Sequence, residues 1–202
     1  MRWTVSIITY FCANNMLMNK QKTFGLIIAA ILVLAAAISR VIMYPDNFSP
    51  IIGMAIFSGA ILQDKRLAFA LPLFAMFLSD IMFEAFNIAP GFWGWGQLVG
   101  YVILALITII AFNLKKISVR NIFAYSIMSS FLFYLLSNLS FFLIDNPVYH
   151  TYTQDTNGFI QCYVQALPFL RTSLVADLVY SGILFGAYLA INNIFIEKRA
   201  IA

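Results

Sequence analysis

The sequence predicts an all-α membrane protein with six transmembrane helices and both termini in the cytoplasm. Of its 202 residues, 62% are hydrophobic and only 10% are charged, and the mean hydropathy is +0.89. A soluble domain carries about 45–50% apolar and about 25% charged residues. A chain of this length cannot bury so much apolar surface in its own core, so lipid is the expected solvent. This excludes most soluble enzymes, and the net charge of +4 indicates a cytoplasmic membrane surface rather than a nucleic-acid partner.

The chain is predicted to fold as one domain. Residues 1–17 are interpreted as an extension or a mis-assigned start, and residues 18–202 as a single six-helix transmembrane domain. The run after Met18 also mimics a signal peptide, an alternative disfavoured because everything downstream is membrane-embedded. Cys12 and Cys162 lie in very different contexts, so neither a disulfide framework nor a cysteine-based metal site is expected.

Six apolar segments are candidates for membrane-spanning helices, which need about 20 residues to cross about 30 Å of hydrocarbon. Five are long enough: Phe24–Ser39, Leu67–Phe86, Gln97–Leu114, Asn121–Ile144 and Thr172–Ile196. The sixth, Ile51–Leu62, is short, and a re-entrant helix is the alternative. If it spans, nine Lys and Arg residues lie inside and only Arg40 and Arg171 lie outside; if it does not, three lie inside and eight outside. Because basic residues concentrate on the cytoplasmic side, the sequence favours six crossings.

Ionisable residues at membrane depth gather in the outer half. Asp80 and Glu84 lie four positions apart on one helix face, and Asp177 lies early in the last helix. A charge inside the bilayer costs at least about 2.5–3.5 kcal/mol, so each one needs a partner or a role. Either Arg40 and Arg171 pair with the two aspartates in a structural network, or these groups line an outward-facing cavity; the two interpretations are compatible. A proton relay through Asp80 or Asp177 is a third alternative.

Three further patterns in the outer half and the last helix allow two interpretations each. Pro45–Pro50 has the composition of an ordered turn, either a connector or a lid over a substrate. Pro168 is expected to break or kink a helix, which predicts a short interfacial helix within Phe159–Arg171. Small residues recur every four positions from Gly182, a spacing that permits close helix packing. Packing within the chain is the favoured interpretation, and a docking face for another subunit is the alternative.

No catalytic motif is visible. His150 is the single histidine, which makes neither a triad nor a metal site. The chain has no phosphate-binding glycine loop, no nucleophile elbow and no His-Glu-x-x-His sequence. We therefore expect a protein that is not an enzyme, has no cofactor and cannot itself hydrolyse ATP.

An ordered series of residues resembles a known family. It runs Arg40…Pro45-x-Asn47-Phe48-x-Pro50…Gly53…Phe57-x-Gly59…Arg66…Pro72…Ser79-Asp80, then Ser137-Asn138, Gly158…Cys162-Tyr163…Pro168-Phe169-x-Arg171…Asp177. Over about residues 24–190 the chain resembles an uncharacterised family of bacterial membrane proteins described only in general terms as transport proteins. More remotely, its six-helix plan is similar to the S components of energy-coupling-factor vitamin transporters.

The remote resemblance implies an outward-facing pocket for a vitamin-like molecule, energised by an external ATPase module. The chain departs from the S-component pattern in one place. S components often carry Ala-x-x-x-Ala on the first helix, whereas Ala29, Ala30 and Ala35–Ala37 do not have that spacing.

The functional prediction is a multi-pass protein of the bacterial inner membrane that binds or moves a small solute. Its predicted partners are the lipid bilayer, the solute and an ATPase module or other membrane subunit, with no nucleic acid. The alternative is a structural subunit of a larger membrane complex. The predicted cavity is bounded by Pro45–Pro50, Asp80, Asn138 and Cys162–Arg171. The predicted binding residues are Arg40, Asn47, Asp80, Asn138, Tyr163, Arg171 and Asp177.

Overall fold

The computed structural model describes residues 23–42, 47–92 and 94–200, with side chains described as far as Ile194. Every regular element in these ranges is helical, which confirms the predicted all-α class for the described residues. The predicted extension, residues 1–17, lies outside the described residues, as do Pro45 and Asp46 of the predicted lid.

The helices follow one another with short connections. They are α1 (Thr23–Ile42), α2 (Ile51–Ile61), α3 (Lys65–Ala85), α4 (Trp95–Ala111), α5 (Val119–Ser140), α6 (Asn146–Tyr149) and α7 (Thr156–Ala200). A π-helical turn, Phe141–Asp145, joins α5 to α6 without a break. In the described part of the chain, four segments are long and apolar enough to cross a membrane: Thr23–Ile42, Lys65–Ala85, Val119–Tyr149 and Thr156–Ile194. Helices α2 and α4 are apolar but shorter.

Side-chain contacts define two ends of the bundle. Near the end of α1, Arg40 pairs with Asp80 in the last turns of α3, and Gln97 in the first turn of α4 bonds the same carboxylate. We name this the Asp80 end. At the start of α3, the Lys65 ammonium lies 3.7 Å from the ring centroid of Phe112, just after α4. We name this the Lys65 end. Helices α1 and α3 therefore run toward the Asp80 end, whereas α2 and α4 run toward the Lys65 end.

Helix α2 is the centre of the bundle. Residues Ile52–Gly59 are all buried, enclosed by α3, α4, α5 and α7. Phe57 meets the ring of Phe185 edge-on, with 5.3 Å between ring centroids. A Cβ atom at Gly59 would lie 2.6 Å from the carbonyl oxygen of Thr108, so glycine permits the close approach of α2 to α4. At about 1.5 Å per residue α2 is roughly 16 Å long, half the hydrocarbon thickness, and its neighbours shield it.

Helix α7 continues through Pro168, so the predicted separate interfacial helix within Phe159–Arg171 is wrong. The helix runs for 45 residues with the proline inside it. Proline removes one backbone hydrogen bond, but Ala166 and Leu170 on either side of it are buried against the bundle. Tertiary packing therefore holds α7 together across the missing bond. At about 1.5 Å per residue it is roughly 68 Å long, more than twice the hydrocarbon thickness.

The glycine face of α7 does not pack against the described part of the chain. Gly182 and Gly186 are exposed, and no described atom of a neighbouring element lies within 4 Å of a Cβ atom built on either of them. The helix instead buries the side that carries Ser181, Leu184 and Phe185. Among the described residues, the favoured interpretation of this spacing, packing within the chain, therefore has no support, and the docking alternative remains.

Candidate functional site

A buried charge cluster ties α1, α3 and α4 together. Asp80 is only 2% exposed, and Arg40 Nη1 lies 2.5 Å from its Oδ1. Gln97 Nε2 donates to Asp80 Oδ2 over 2.9 Å, and Tyr101 Oη donates to the same oxygen over 2.7 Å. The Arg40 guanidinium also lies 4.7 Å from the centroid of the Phe83 ring. Both carboxylate oxygens have donors, and the predicted salt bridge between an arginine and an aspartate is confirmed.

The connection between α3 and α4 closes onto this cluster. Glu84 Oε2 accepts a bond from the backbone N–H of Gly91 over 3.0 Å, and Gln97 Nε2 donates to the Gly91 carbonyl oxygen over 2.8 Å. A Cβ atom on Gly91 would collide with the carbonyl oxygen of Asp80, so only glycine permits this approach. Glu84, which the sequence places on the same face as Asp80, therefore holds the connecting loop.

Beside the cluster lies a cavity of about 450 Å³. Its volume falls within the range of about 300–1,000 Å³ typical of small-molecule sites. Polar and charged side chains from α1, α5, α7, the π-helical turn and the segment before α2 line it: Arg40, Asn47, Ser49, Ser130, Ser137, Asn138, Ser140, Asp145, Ser173 and Asp177. Six aromatic rings complete the wall: Phe48, Phe83, Phe133, Tyr134, Phe141 and Phe169.

Four of the seven predicted binding residues, Arg40, Asn47, Asn138 and Asp177, line this cavity. The predicted boundary therefore agrees with the cavity wall along Asn47–Ser49, at Asn138 and, within Cys162–Arg171, at Ala166, Phe169 and Leu170. Asp80 is not on the wall, since its carboxylate is occupied by the cluster behind Arg40.

Two predicted residues lie away from the cavity. The Tyr163 hydroxyl donates to the carbonyl oxygen of Leu135 over 2.8 Å, and the Tyr134 hydroxyl donates to the carbonyl oxygen of Tyr163 over 2.6 Å. Tyr163 therefore joins α7 to α5. Arg171 is exposed and forms no ion pair with Asp177. Six positions separate the two on α7, which at 3.6 residues per turn places them on different faces.

Asp177 is the buried carboxylate of the cavity wall. It is 1% exposed, and the Ser130 hydroxyl donates to its Oδ2 over 2.6 Å. That hydroxyl has one proton and also lies 2.9 Å from the carbonyl oxygen of Ser126, so the donor is shared. Among the described residues, no Lys, Arg or His nitrogen lies within 4.0 Å of Asp177. Its charge is thus uncompensated by the described part of the protein.

Two serine hydroxyls on the cavity wall are also incompletely bonded. The Oγ atoms of Ser49 and Ser140 are buried and have no hydrogen-bond partner among the described residues. Buried hydroxyls are usually paired, but Ser58 and Ser129, which do not line the cavity, are unpaired among the described residues as well. Ser140 immediately precedes the π-helical turn Phe141–Asp145, and such turns occur frequently at functional sites.

The segment before α2 forms a side of the cavity. Asn47 has φ +60°, in the left-handed region that asparagine tolerates better than most residues. Its carbonyl oxygen accepts a bond from the Ser173 hydroxyl over 3.4 Å, which ties this segment to α7. Of the predicted lid, the described portion Asn47–Pro50 is thus anchored to the bundle.

The loop between α6 and α7 carries a separate polar group, Asp155, which is not among the cavity residues. The backbone N–H of Gly158 donates to Asp155 Oδ1 over 2.8 Å, and the Thr153 hydroxyl donates to the same oxygen over 2.7 Å. These bonds, that from Gly158 foremost, lower the pKa of the Asp155 carboxyl. In the described ranges, no group of three His, Cys, Asp or Glu side chains could hold a metal ion.

Several residues of the site carry no local sequence signal. Gln97, Tyr101 and Ser130 are neutral side chains on helices distant in sequence from the aspartates they bond. A pattern that marks ionisable residues at membrane depth identifies the aspartates and cannot identify such partners. Among the neutral polar residues of the wall, Asn47 and Ser137-Asn138 belong to the resembling series and so carried a sequence signal.

Comparison with known proteins gives a family and no function. No curated protein and no solved structure matches the chain. A family model, described as a family of unknown function (DUF6580), matches residues 19–198. This confirms the predicted membership of an uncharacterised family, and the description says nothing of transport or of S components. The chain belongs to the family of unknown function DUF6580.

Proposed function

We propose that this protein binds a small solute in the cavity beside Arg40 and Asp177, and that it serves as a transport or solute-binding protein of the bacterial inner membrane. The observation that carries the proposal is a cavity whose wall is mainly apolar but holds a few polar and charged side chains. Protein interiors are close-packed, so an apolar bundle has no need to leave such a volume open beside a buried carboxylate. A cavity of about 450 Å³ that carries Arg40, Asn138 and Asp177 on a mainly apolar wall indicates a small occupant with a polar group.

The alternative explanation, a structural polar network, accounts for one part of this region only. In the Asp80 cluster, the carboxylate oxygens are bonded by Arg40, Gln97 and Tyr101. The Asp177 side of the cavity lacks such a set of donors. The unsatisfied part of the network therefore faces the open volume, as expected for a ligand site.

The proposed topology is six crossings with both termini in the cytoplasm and the cavity near the outer surface. Its support is the alternation of helix direction together with the basic residues that flank α3 and α5 at the Lys65 end: Lys65, Arg66, Lys115, Lys116 and Arg120. Basic residues concentrate on the cytoplasmic side, so the opposite Asp80 end faces outward. Helix α2, although short, would cross because neighbouring helices shield it from lipid. Helix α4, also short, would cross with exposed apolar side chains such as Leu98, Val102 and Ile109 in contact with lipid.

Reporter fusions test this topology. A reporter fused after Arg66 or Arg120 is expected to read cytoplasmic, and one placed between Asp145 and Gly158 is expected to read external. An external signal after Arg66 would contradict six crossings and favour a re-entrant α2.

The test of solute binding uses Asn138→Leu, which replaces a polar wall residue with an apolar one of similar size. Purified wild-type protein is screened for thermal stabilisation by a library of small solutes. Compounds that stabilise the wild type are expected to lose this effect in Asn138→Leu and keep it in the control Asn193→Leu, at an exposed position of α7. Insertion and unfolding temperature without ligand should be similar in all three. Retention of binding in Asn138→Leu would contradict the proposed site.

A second candidate function is a non-catalytic structural subunit of a larger membrane complex. The exposed small-residue face of Gly182 and Gly186 favours it, since such faces permit close helix contact. The same face could hold a subunit of the external ATPase module implied by the remote resemblance. Gly182→Leu should remove a co-purifying membrane subunit in either case. Only in the structural role would no solute bind at the cavity.

A further inference from the structure

The wall of the cavity carries more negative than positive charge. Its charged residues are Arg40, Asp145 and Asp177, one cation and two anions. The Arg40 guanidinium lies 2.5 Å from Asp80, so its charge is already matched by a carboxylate outside the wall. A ligand inside the cavity therefore meets two aspartates whose charge Arg40 does not offset.

Of the two aspartates, Asp177 would be stabilised more by a positively charged partner. It is 1% exposed, and its described donor is one shared serine hydroxyl. An isolated buried carboxylate is strongly unfavourable unless it is neutralised by a proton or by a cation. Since no basic side chain in the described part of the chain supplies that cation, a proton or a ligand must do so.

The aromatic rings of the wall also favour a cationic ligand over an anionic one. Six rings from three helices, the π-helical turn and the segment before α2 border the volume. The face of an aromatic ring carries negative electrostatic potential, so it attracts an ammonium group and disfavours an anion.

Resting on the proposed function, we infer that the solute is a small organic cation, an ammonium group on an apolar or aromatic body, with Asp177 as its counter-charge. The ammonium group balances the charge of the Asp177 carboxylate. The apolar body occupies the space among the rings. A phosphate, sulfonate or carboxylate ligand would instead meet Asp177 and Asp145 with like charge.

The test compares two probes with the same benzyl body and opposite charge, benzyltrimethylammonium and phenylmethanesulfonate. Binding to the purified full-length protein in lipid nanodiscs is measured by calorimetry. The cation is expected to bind saturably and at least tenfold more tightly than the anion. Asp177→Asn keeps the size of the side chain and an oxygen that can accept from Ser130, and it should weaken cation binding at least tenfold. Asp177→Glu, which keeps the charge, should retain the preference for the cation.

Asp155→Asn is the matched control, since it removes one acidic charge from a loop outside the cavity, and it should bind the cation as the wild type does. Absent cation binding, equal or tighter binding of the sulfonate, or unchanged cation binding in Asp177→Asn would each overturn the inference. Unchanged binding in Asp177→Asn would mean that a proton neutralises Asp177. In all three cases the proposed function survives if the wider solute screen finds binding that Asn138→Leu abolishes, and it fails only if that screen finds none.

Discussion

Asp80 and Asp177 are two carboxylates buried to the same degree in one helical bundle, 2% and 1% exposed, yet their surroundings differ. Asp80 is bonded by a guanidinium, an amide and a phenol hydroxyl. Asp177 has one serine hydroxyl, which is shared with a backbone carbonyl. Burial alone therefore does not distinguish the structural acid from the acid proposed to bind a ligand. The number and charge of the donors around the carboxylate do.

The physical reason is the balance of desolvation against local bonds. A buried ion pair repays the desolvation of its charges only when its geometry is good and the remaining lone pairs are bonded. The Asp80 cluster meets both conditions and stabilises the contact of α1 with α3 and α4. Asp177 meets neither, so its full stabilisation requires a partner from outside the described chain.

The largest effect is expected at Asp80. Replacement of Asp80 by alanine leaves Arg40 buried without its counter-charge, which typically costs about 3–5 kcal/mol. We expect a correspondingly lower unfolding temperature in detergent and a lower folded yield. Asp155→Ala, in the exposed loop, is the control and should lower the yield less. Equal effects of the two changes would mean that the cluster does not hold the helices together.

Tyr101→Phe tests whether a neutral donor also contributes to the Asp80 cluster. The change removes a hydrogen bond to a charged oxygen, worth about 1.5–3 kcal/mol, while Arg40 and Gln97 remain. The unfolding temperature should therefore fall by less than in Asp80→Ala. Tyr149→Phe, at an exposed tyrosine, should leave it unchanged. A Tyr101→Phe protein as stable as the wild type would show that Gln97 suffices at this oxygen.

Asp177→Asn is expected to have a small effect in the absence of ligand. The substitution removes a poorly bonded buried carboxylate and keeps an oxygen that can accept from Ser130. The free energy of unfolding should fall by less than about 1 kcal/mol. A rise would also agree with this account, because the carboxylate that is removed has no described counter-charge. The measurement is thermal unfolding of ligand-free protein, beside Asp80→Asn. A loss as large as that of Asp80→Asn would remove the contrast between the two acids.

The smallest effect is expected from the loop carboxyl Asp155, through pH. Hydrogen bonds from Gly158 and Thr153 lower its pKa in the folded protein below the value in the unfolded chain. Its contribution to stability is therefore present above the unfolded pKa and is lost as pH falls through the folded pKa. Unfolding temperatures of wild type and Asp155→Asn, measured from pH 7 downward, should converge in acid. A constant difference at every pH would contradict this account.

The Arg40–Asp80 pair was predictable because a charge at membrane depth is so unfavourable that two opposite charges at one depth are expected to meet. Gln97 and Tyr101 could not be predicted as their partners. Neutral polar side chains carry a weaker constraint on depth, and these two lie on the next helix of the chain.

Pro168 and Gly182 illustrate the reverse case, in which a strong local signal differs from the described tertiary structure. Pro168 predicts a helix break, and Gly182 predicts a packing face. At Pro168, the burial of Ala166 and Leu170 outweighs the loss of one hydrogen bond. At Gly182, the rotation of α7 buries Leu184 and Phe185 and leaves the glycine exposed.

The sequence by itself determined the all-helical class, the membrane-compatible segments and the set of charged residues that need partners. These properties are sums over residues, since the free energy of transfer into lipid depends on each side chain almost independently of its neighbours. Only the tertiary structure decided that Asp80 has three partners, that Asp177 has one and that a cavity lies beside it. Those outcomes depend on the rotation of each helix about its axis and on distances of a few ångströms between helices, which no local pattern specifies.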